Sequence, residues 1–256
     1  MTTVLANVDR RVLGAFHCVD ACTTQHVADP GDVVSDALDL RRNGSGYFVV
    51  FNAPGLRDQT AQFYPALPWP SAVAYDVTIV PDLRRYLPRR VQVKVPRIPD
   101  AASDTFSSMV AQDVRLYPSP AAPLGLNWAV LRCSVRKAGS AATDPGLPWA
   151  VLRLTRKSDG TELTAGVCDQ RGEGVLAVPG VRQSESDSGD GAVITATIDV
   201  TATAYFDPAH AAPDDAWVPD PDDVLNALTN ASLKQASQAA QIGRGTESHL
   251  TLSIAL

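Results

Sequence analysis

The sequence has little lysine, few aromatic side chains and no long apolar run. Only four of its 22 basic residues are lysines, and aromatic residues occupy 6% of the 256 positions. No segment reaches the roughly 18–20 consecutive apolar residues that span a membrane, so we expect no membrane-spanning segment. The amino terminus lacks the successive basic, apolar and small-residue regions of a signal peptide, which favours a protein that is in the cytoplasm during synthesis.

The sequence motifs of common enzymes are absent as well. G-x-S-x-G, Walker A, G-x-G-x-x-G and H-E-x-x-H do not occur. One S-x-x-K stretch falls on a predicted strand, where the odd spacing places Ser134 and Lys137 on opposite faces. The net charge of −6 argues against a general nucleic-acid binder. We therefore predict that the chain is not an enzyme, uses no cofactor and binds no nucleic acid.

One short segment gathers residue types that bind metals. His17, Cys18, Cys22 and His26 lie within ten positions, and zinc is bound by such side chains. However, adjacent residues of a strand point to opposite faces, and the spacing lacks two short chelating pairs. We keep these four as zinc candidates but predict no metal site, and we expect all four cysteines of the chain to be reduced.

Alternation of apolar and polar residues with a period of two dominates the sequence. Clusters of Gly, Pro, Asn and Asp separate these stretches, whereas a doubly wound α/β fold would have helical segments between them. The pattern predicts an all-β protein with half-buried antiparallel strands in a sandwich or barrel. The predicted strands include 76–80, 91–95, 130–135, 151–155 and 192–206.

The carboxyl-terminal region has a different pattern. After an acidic, proline-containing start, residues 224–242 contain neither Gly nor Pro. Asp220 or Asp222 can cap a helix there, and Pro221 suits its first turn. We therefore predict a helix over 224–242. The alternating residues 250–256 then predict a terminal strand.

A short motif occurs twice in the chain. Residues 42–57 and 171–182 both contain G-x-G, a short apolar stretch and then Pro-Gly-apolar-Arg. Aligning Gly44 with Gly172 makes the second copy three residues shorter. We expect G-x-G to form a tight turn into a buried strand and Pro-Gly a type II turn out of it, in two tandem sandwich modules. The turn residues are Gly44, Gly46, Pro54, Gly55, Gly172, Gly174, Pro179 and Gly180.

These residues resemble the carboxypeptidase regulatory-like domains, which are small transthyretin-like, immunoglobulin-like sandwiches. Residues 19–23 are similar to the D-x-x-T-G entry turn of that family, with Thr24 in place of the glycine. Residues 81–89 and 116–120 are similar to segments of bacterial and phage proteins encoded with phage-tail and contractile-injection components. The resemblance covers about residues 10–210. It implies two tandem Ig-like or transthyretin-like sandwiches and a structural role near a baseplate or sheath.

Composition divides the chain into four parts. We predict a first sandwich module over 1–100, a Pro/Ser/Ala-rich linker over 101–123 and a second module over 124–208. A carboxyl-terminal extension over 209–256 is predicted to contain an acidic loop, the helix and the strand. Modules of about 100 residues have the usual size of a domain.

Two classes of function remain open. The first is a non-enzymatic structural or assembly component of a phage tail or contractile injection particle, whose partners are other protein subunits. The alternative is a carbohydrate- or ligand-binding module that uses the loop aromatics Tyr64 and Trp69. A zinc or hydrolytic enzyme ranks last. Loop aromatics and a terminal strand that joins a partner's sheet are the expected contacts. The candidate partner-binding residues are Trp69, Trp217, Leu250, Leu252, Ile254 and Leu256.

Overall fold

A computed structural model describes most of the chain. It covers residues 12–58, 70–97, 110–141, 143–181, 197–209, 220–229 and 232–256. The seven strands of the first half are β1 (Gly14–Asp20), β2 (Asp32–Val34), β3 (Asp39–Arg42), β4 (Phe48–Asn52), β5 (Val73–Val80), β6 (Arg89–Val95) and β7 (Gln112–Leu116). The second half contains β8 (Ala129–Lys137), β9 (Val151–Arg156), β10 (Glu162–Val167), β11 (Glu173–Val178), β12 (Thr197–Phe206), helix α1 (Pro221–Asn226), β13 (Lys234–Gly243) and β14 (Glu247–Ile254). The prediction of an all-β fold is therefore confirmed.

The strand order of the first half is repeated in the second. The first seven strands form two sheets, in the orders β3-β4-β1-β7 and β2-β5-β6. The last seven form β11-β8-β14 and β10-β9-β12-β13, and the isolated bridge between Cys168 and Gly174 also joins the end of β10 to β11. Adding seven to each strand number of the first half gives the order of the second, except that β10 pairs with β9 along its length and meets β11 only at the isolated bridge. The chain is thus a tandem repeat of one sandwich topology.

The chain divides into two compact units, and each unit is made of several separate segments of the sequence. The first unit takes the described residues up to Val19, together with His26–Ile79 and Arg90–Arg115. The second unit takes Asp20–Gln25, Val80–Arg89 and everything from Leu116 onward. The end of the segment whose composition predicted a linker is in fact ordered. It forms β7, in which Val114 and Leu116 are buried, and continues to the buried Tyr117.

Alternating apolar residues build the core of each unit. In the second unit, inward-facing side chains of both sheets meet, and Leu131, Leu152 and Ile254 have at most 1% of their surface exposed. In the first unit, Phe16 of β1 stacks on Phe48 of β4 with ring centroids 5.2 Å apart. The period of two along these strands therefore directs one face of each sheet into a dry core.

The predicted helix over 224–242 is wrong beyond its first turns. Helix α1 ends at Asn226, and Lys234–Gly243 is strand β13, paired with β12 along its whole length. The sequence of β13 is rich in Ala, Gln and Ser and offers no apolar stripe to hold a helix against the core. β14 then pairs in parallel with β8, so the predicted extension completes the second sandwich. In the described part of the chain, no helix is long and apolar enough to cross a membrane.

Candidate functional site

The repeated motif forms the same hairpin turn in both units. Asn43 Oδ1 accepts hydrogen bonds from the backbone N–H groups of Ser45 and Tyr47, at 3.0 and 2.9 Å. In the second unit Asp169 Oδ1 accepts them from Arg171 and Glu173, at 2.8 and 3.0 Å. The Asx residue of each turn also donates its own N–H to the carbonyl four residues on. The same set of hydrogen bonds therefore closes both turns. The turn joins β3 to β4 in the first unit and β10 to β11 in the second.

This geometry corrects the alignment of the two copies. Gly46 and Gly172 each donate an N–H to the carbonyl of the Asx residue, and both have positive φ, at 82° and 78°. Gly46, and not Gly44, is therefore the counterpart of Gly172, and the second copy is one residue shorter than the first rather than three. Gly44 corresponds to Gln170. Spacing alone misled because a G-x-G pattern occurs in both copies at different positions of the turn.

The Pro-Gly pairs also form equivalent turns. Gly55 and Gly180 have φ of 75° and 72°, the region that a type II turn requires at its third residue. In the first copy Leu56 donates its N–H to Ala53, which closes a turn over Pro54 and Gly55. The predicted type II geometry is confirmed there.

Two of the zinc candidates meet in the first unit. His17 Nδ1 and His26 Nδ1 are 3.0 Å apart, and both rings stack near Tyr47. His17 Nε2 lies 2.6 Å from Asp113 Oδ1, and His26 Nε2 lies 2.9 Å from the carbonyl oxygen of Ser45. The donor and acceptor roles of these ring nitrogens depend on the tautomer of each histidine. The two rings and Asp113 therefore form one hydrogen-bonded cluster on the first unit.

The other two zinc candidates lie elsewhere. Cys18 points into the core on the opposite face of β1 from His17, and Cys22 lies in a turn of the second unit. The centroids of the His17 and His26 rings are 5.2 Å apart, so their Nδ1 atoms point directly at one another. A cation about 2.0–2.1 Å from both would lie off both lone pairs. Within the described ranges, no three His, Cys, Asp or Glu side chains are grouped to hold a metal ion.

Asp20 organises the turn that resembles a family entry turn. Its Oδ1 accepts the backbone N–H groups of Cys22 and Thr23, and its Oδ2 accepts the Tyr86 hydroxyl at 2.9 Å. Thr24, which stands where the resembling family has glycine, has φ of 58°, in the region that favours glycine. Burial and the Asp20 charge together raise the pKa of Cys22 to about 12. All four cysteines are free, and this one is a poor nucleophile at neutral pH.

The second unit contains a buried ion cluster that no sequence pattern predicted. Arg89 Nη2 lies 2.8 Å from Asp220 Oδ1 and 2.8 Å from Asp222 Oδ2, and its side chain is 2% exposed. Burial opposes the charge of Arg89, but Asp222 and Asp220 outweigh it and raise the arginine pKa. Burial is also the main reason that the pKa of Asp220 is raised. Asp220 caps α1 as well, so the cluster ties the start of β6 to the helix.

The candidate partner-binding residues do not form one surface. Leu252 and Ile254 are buried in the core of the second unit, and Leu250 packs against it. Leu256 is 53% exposed. Trp69 and Trp217, like Tyr64, lie outside the described residues. The expectation that Leu252 and Ile254 face a partner is wrong, because β14 completes the sheet of its own chain.

Comparisons with known proteins identify no family. Neither a scan against models of protein families nor a search of curated proteins gave a match. Among solved structures, the Bacillus anthracis TIE protein matches with 11% identity and a TM-score of 0.27. The match covers 95% of this chain, which spans 34% of the length of that chain.

Proposed function

We propose that this protein is a non-enzymatic structural component that joins other protein subunits in a large particle. The observation that carries the proposal is the repeated strand order, since two tandem sandwiches with their own cores suit a rigid spacer. The resemblance to proteins encoded with phage-tail and contractile-injection components makes a particle of that kind, near its baseplate or sheath, the proposed setting.

The packing within each unit supports a mechanical role. In the second unit, side chains with 0–1% of their surface exposed line both sheets. In the first unit, the stacked rings of Phe16 and Phe48 pack β1 against β4. Densely packed sandwiches deform little, because core side chains have no free volume to move into. In the cluster of His17, His26 and Asp113, the four ring nitrogens contact one another, Asp113 and the carbonyl oxygen of Ser45.

The test is sedimentation of the native chain. A tag placed at the exposed Leu256 marks the protein in the cells that produce it, and a lysate is separated on a density gradient. We expect the chain to sediment with a large particle, visible by negative-stain microscopy, at a fixed ratio to the other subunits. Recovery only as a 27.1 kDa monomer at natural expression levels would overturn the proposal.

Two variants of the repeated motif test whether incorporation requires a stable second unit. Gly172→Ala is expected to destabilise that unit and to lower the amount of the chain in the particle. Gly44→Ala, in the same motif but in open space, is expected to leave incorporation unchanged.

A further inference from the structure

Strand β13 has an open edge. It lies at the end of the sheet β10-β9-β12-β13 and pairs with β12 over ten residues without a register shift. Gly243 pairs with Thr197 in register, but its N–H and C=O bond to Thr246, so they face away from β12. Because this direction alternates along an antiparallel strand, every second residue before Gly243 also faces outward. These residues are Gln235, Ser237, Ala239 and Gln241.

The side chains across the ladder confirm this assignment. Thr203 and Ser237 are paired in register, and their hydroxyl oxygens are 2.8 Å apart. Such close side chains are typical of the pairs that do not exchange backbone hydrogen bonds. No described strand pairs with the outward N–H and C=O groups of β13.

Other sheet edges in the described part of the chain are protected. β2, β3 and β7 are only three to five residues long. β6 carries Arg90 and Lys94, and β14 carries Glu247 and His249. The register of β10 shifts near its start, and β11 is bridged to β10. Short length, charge and irregular register are the devices that keep edges from pairing, and β13 lacks all three beyond its first residue.

The composition of β13 suits a second strand beside it. From Gln235 to Gly243 the strand has no charged residue and no proline. Ala236, Ser237, Ala239 and Ala240 are small, and most of the strand is exposed up to Gln241. Small, uncharged side chains let another backbone approach without steric or desolvation cost.

The charges at its two ends select the occupant. Lys234 begins the strand, Arg244 follows it, and both side chains are exposed with no ion-pair partner among the described residues. A second copy pairing antiparallel would place Lys234 against Arg244, and pairing in parallel would place Lys234 against Lys234. Like charges across a sheet are destabilising, so neither self-pairing fits.

We propose that β13 is a docking edge for an extended segment of a partner protein, uncharged along its length and bracketed by carboxylates. The outward backbone groups of β13 give the affinity, and Lys234 and Arg244 fix the register of the partner strand. The inference rests on the proposed assembly function only in taking the partner to be a subunit of the same particle.

Two synthetic peptides test the edge on the full-length protein. Both contain nine alternating threonine and valine residues, as many as lie between Lys234 and Arg244, and one is flanked by aspartate at each end and the other by lysine. We expect the acidic peptide to slow amide hydrogen exchange within 235–241 and to bind at least about tenfold more tightly than the basic one. Equal binding of both peptides, or no protection at millimolar peptide, would overturn the proposal.

Two substitutions of Ala239 test the contribution of its backbone N–H group to binding. Ala239→Pro removes an outward N–H and leaves the β12 ladder intact, whereas Ala239→Ser keeps the N–H. We expect the proline variant to bind the acidic peptide about tenfold more weakly and the serine variant to bind it unchanged, with both thermal transitions near that of the parent. Unchanged binding by a folded Ala239→Pro would refute docking at this edge.

Two further measurements distinguish the sources of failure. Sedimentation equilibrium of the chain alone should show a monomer, and a dimer that Ala239→Pro dissolves would make the occupant a second copy, contrary to the proposal. In the producing cells, we expect the Ala239→Pro chain not to be incorporated into the particle. If it incorporates normally, the edge proposal fails while the assembly function stands. If the parent chain never enters a particle but binds the acidic peptide, the edge proposal stands alone.

Discussion

The two hairpin turns of the repeated motif share their hydrogen bonds but not their surroundings. At Gly46 a Cβ atom would meet the exposed His26 ring at 2.8 Å and the backbone oxygen of Ala28 at 3.1 Å. At Gly172 it would meet the backbone, with Leu147 N and Val135 O both 2.7 Å away. Both glycines are buried, but the atom closest to the added Cβ belongs to a side chain in the first unit and to the backbone in the second. Equivalent positions in a repeat need not be equally sensitive to substitution.

The side-chain clusters of the two units differ in exposure, and the cluster in the second unit is the more buried one. In the second unit, Asp220 is 8% exposed where it meets Arg89. In the first unit, Asp113 is 69% exposed where it meets His17. Removing a partner from a buried ion pair leaves a charge without solvent, whereas water replaces the partner of an exposed one. The second unit should therefore be the less tolerant of the two.

The largest effect is expected for Arg89→Ala. The substitution leaves the buried Asp220 carboxylate without its cation, so the unfolding free energy should fall by about 3–5 kcal/mol at pH 7. Burial already raises the pKa of Asp220, and loss of Arg89 raises it further. The penalty is fully present above that raised pKa and vanishes below the ordinary aspartate value, so the variant should approach the parent on acidification. Urea titrations at pH 7 and pH 4 measure both quantities.

The control for this prediction is Arg153→Ala. Arg153 pairs with Glu162 at the surface of the same unit, and such pairs contribute about 0–1 kcal/mol. A loss for Arg89→Ala as small as for Arg153→Ala, or one that does not change with pH, would contradict the contrast between the units.

The next effect compares Gly172→Ala with Gly46→Ala. Both glycines have positive φ, which costs an alanine about 1–2 kcal/mol. Overlap with rigid backbone is more severe at Gly172, where two backbone atoms lie at 2.7 Å, than at Gly46, where Ala28 O lies at 3.1 Å, so we expect a further loss of about 1–3 kcal/mol at Gly172 and a smaller one at Gly46. Thermal unfolding of the purified variants measures the difference. Gly44→Ala, whose counterpart is Gln170, should change stability by less than about 0.5 kcal/mol. Equal losses at Gly46 and Gly172 would show that the surroundings do not matter.

Gly55→Ala and Gly180→Ala should have equal and smaller effects. Both glycines have positive φ, and a Cβ added at either would meet no atom within 4 Å, so only backbone strain of about 1–2 kcal/mol applies. Denaturant unfolding of both variants gives the comparison. A difference above about 1 kcal/mol would mean that the Pro-Gly turns are not equivalent.

The smallest effect is expected for Asp113→Asn. The amide oxygen can still accept from His17 Nε2, and the exposed position limits the loss to under about 1 kcal/mol. Chemical denaturation reports the stability, and nitrogen chemical shifts of the histidine rings report whether the His17–His26 hydrogen bond persists. A loss comparable to that of Arg89→Ala would remove the distinction between surface and buried clusters.

The sequence predicted the features that depend on neighbouring residues. Alternation located β8 and β9, and the Pro-Gly pairs located their turns. The helix over 224–242 failed because the pairing of β13 with β12 overrides weak local preference. Arg89 and its partner Asp220 are 131 positions apart, and no local pattern links them. The meeting of His17, His26 and Asp113 likewise depends on strand order, although two of these three residues, His17 and His26, were already candidates from the sequence.

The parallel pairing of β14 with β8 sets the order in which the chain can fold. Val130 in the first strand of the second sandwich is paired with Glu247, near the end of the sequence. At a synthesis rate of about 5–20 residues per second, β8 emerges several seconds before the strand that completes its sheet. During that interval the edge of β8 that β14 later occupies is open, and the sheet β11-β8-β14 is completed only after β14 has left the ribosome. Because this pairing joins segments that are far apart in the sequence, we expect the second unit to fold slowly.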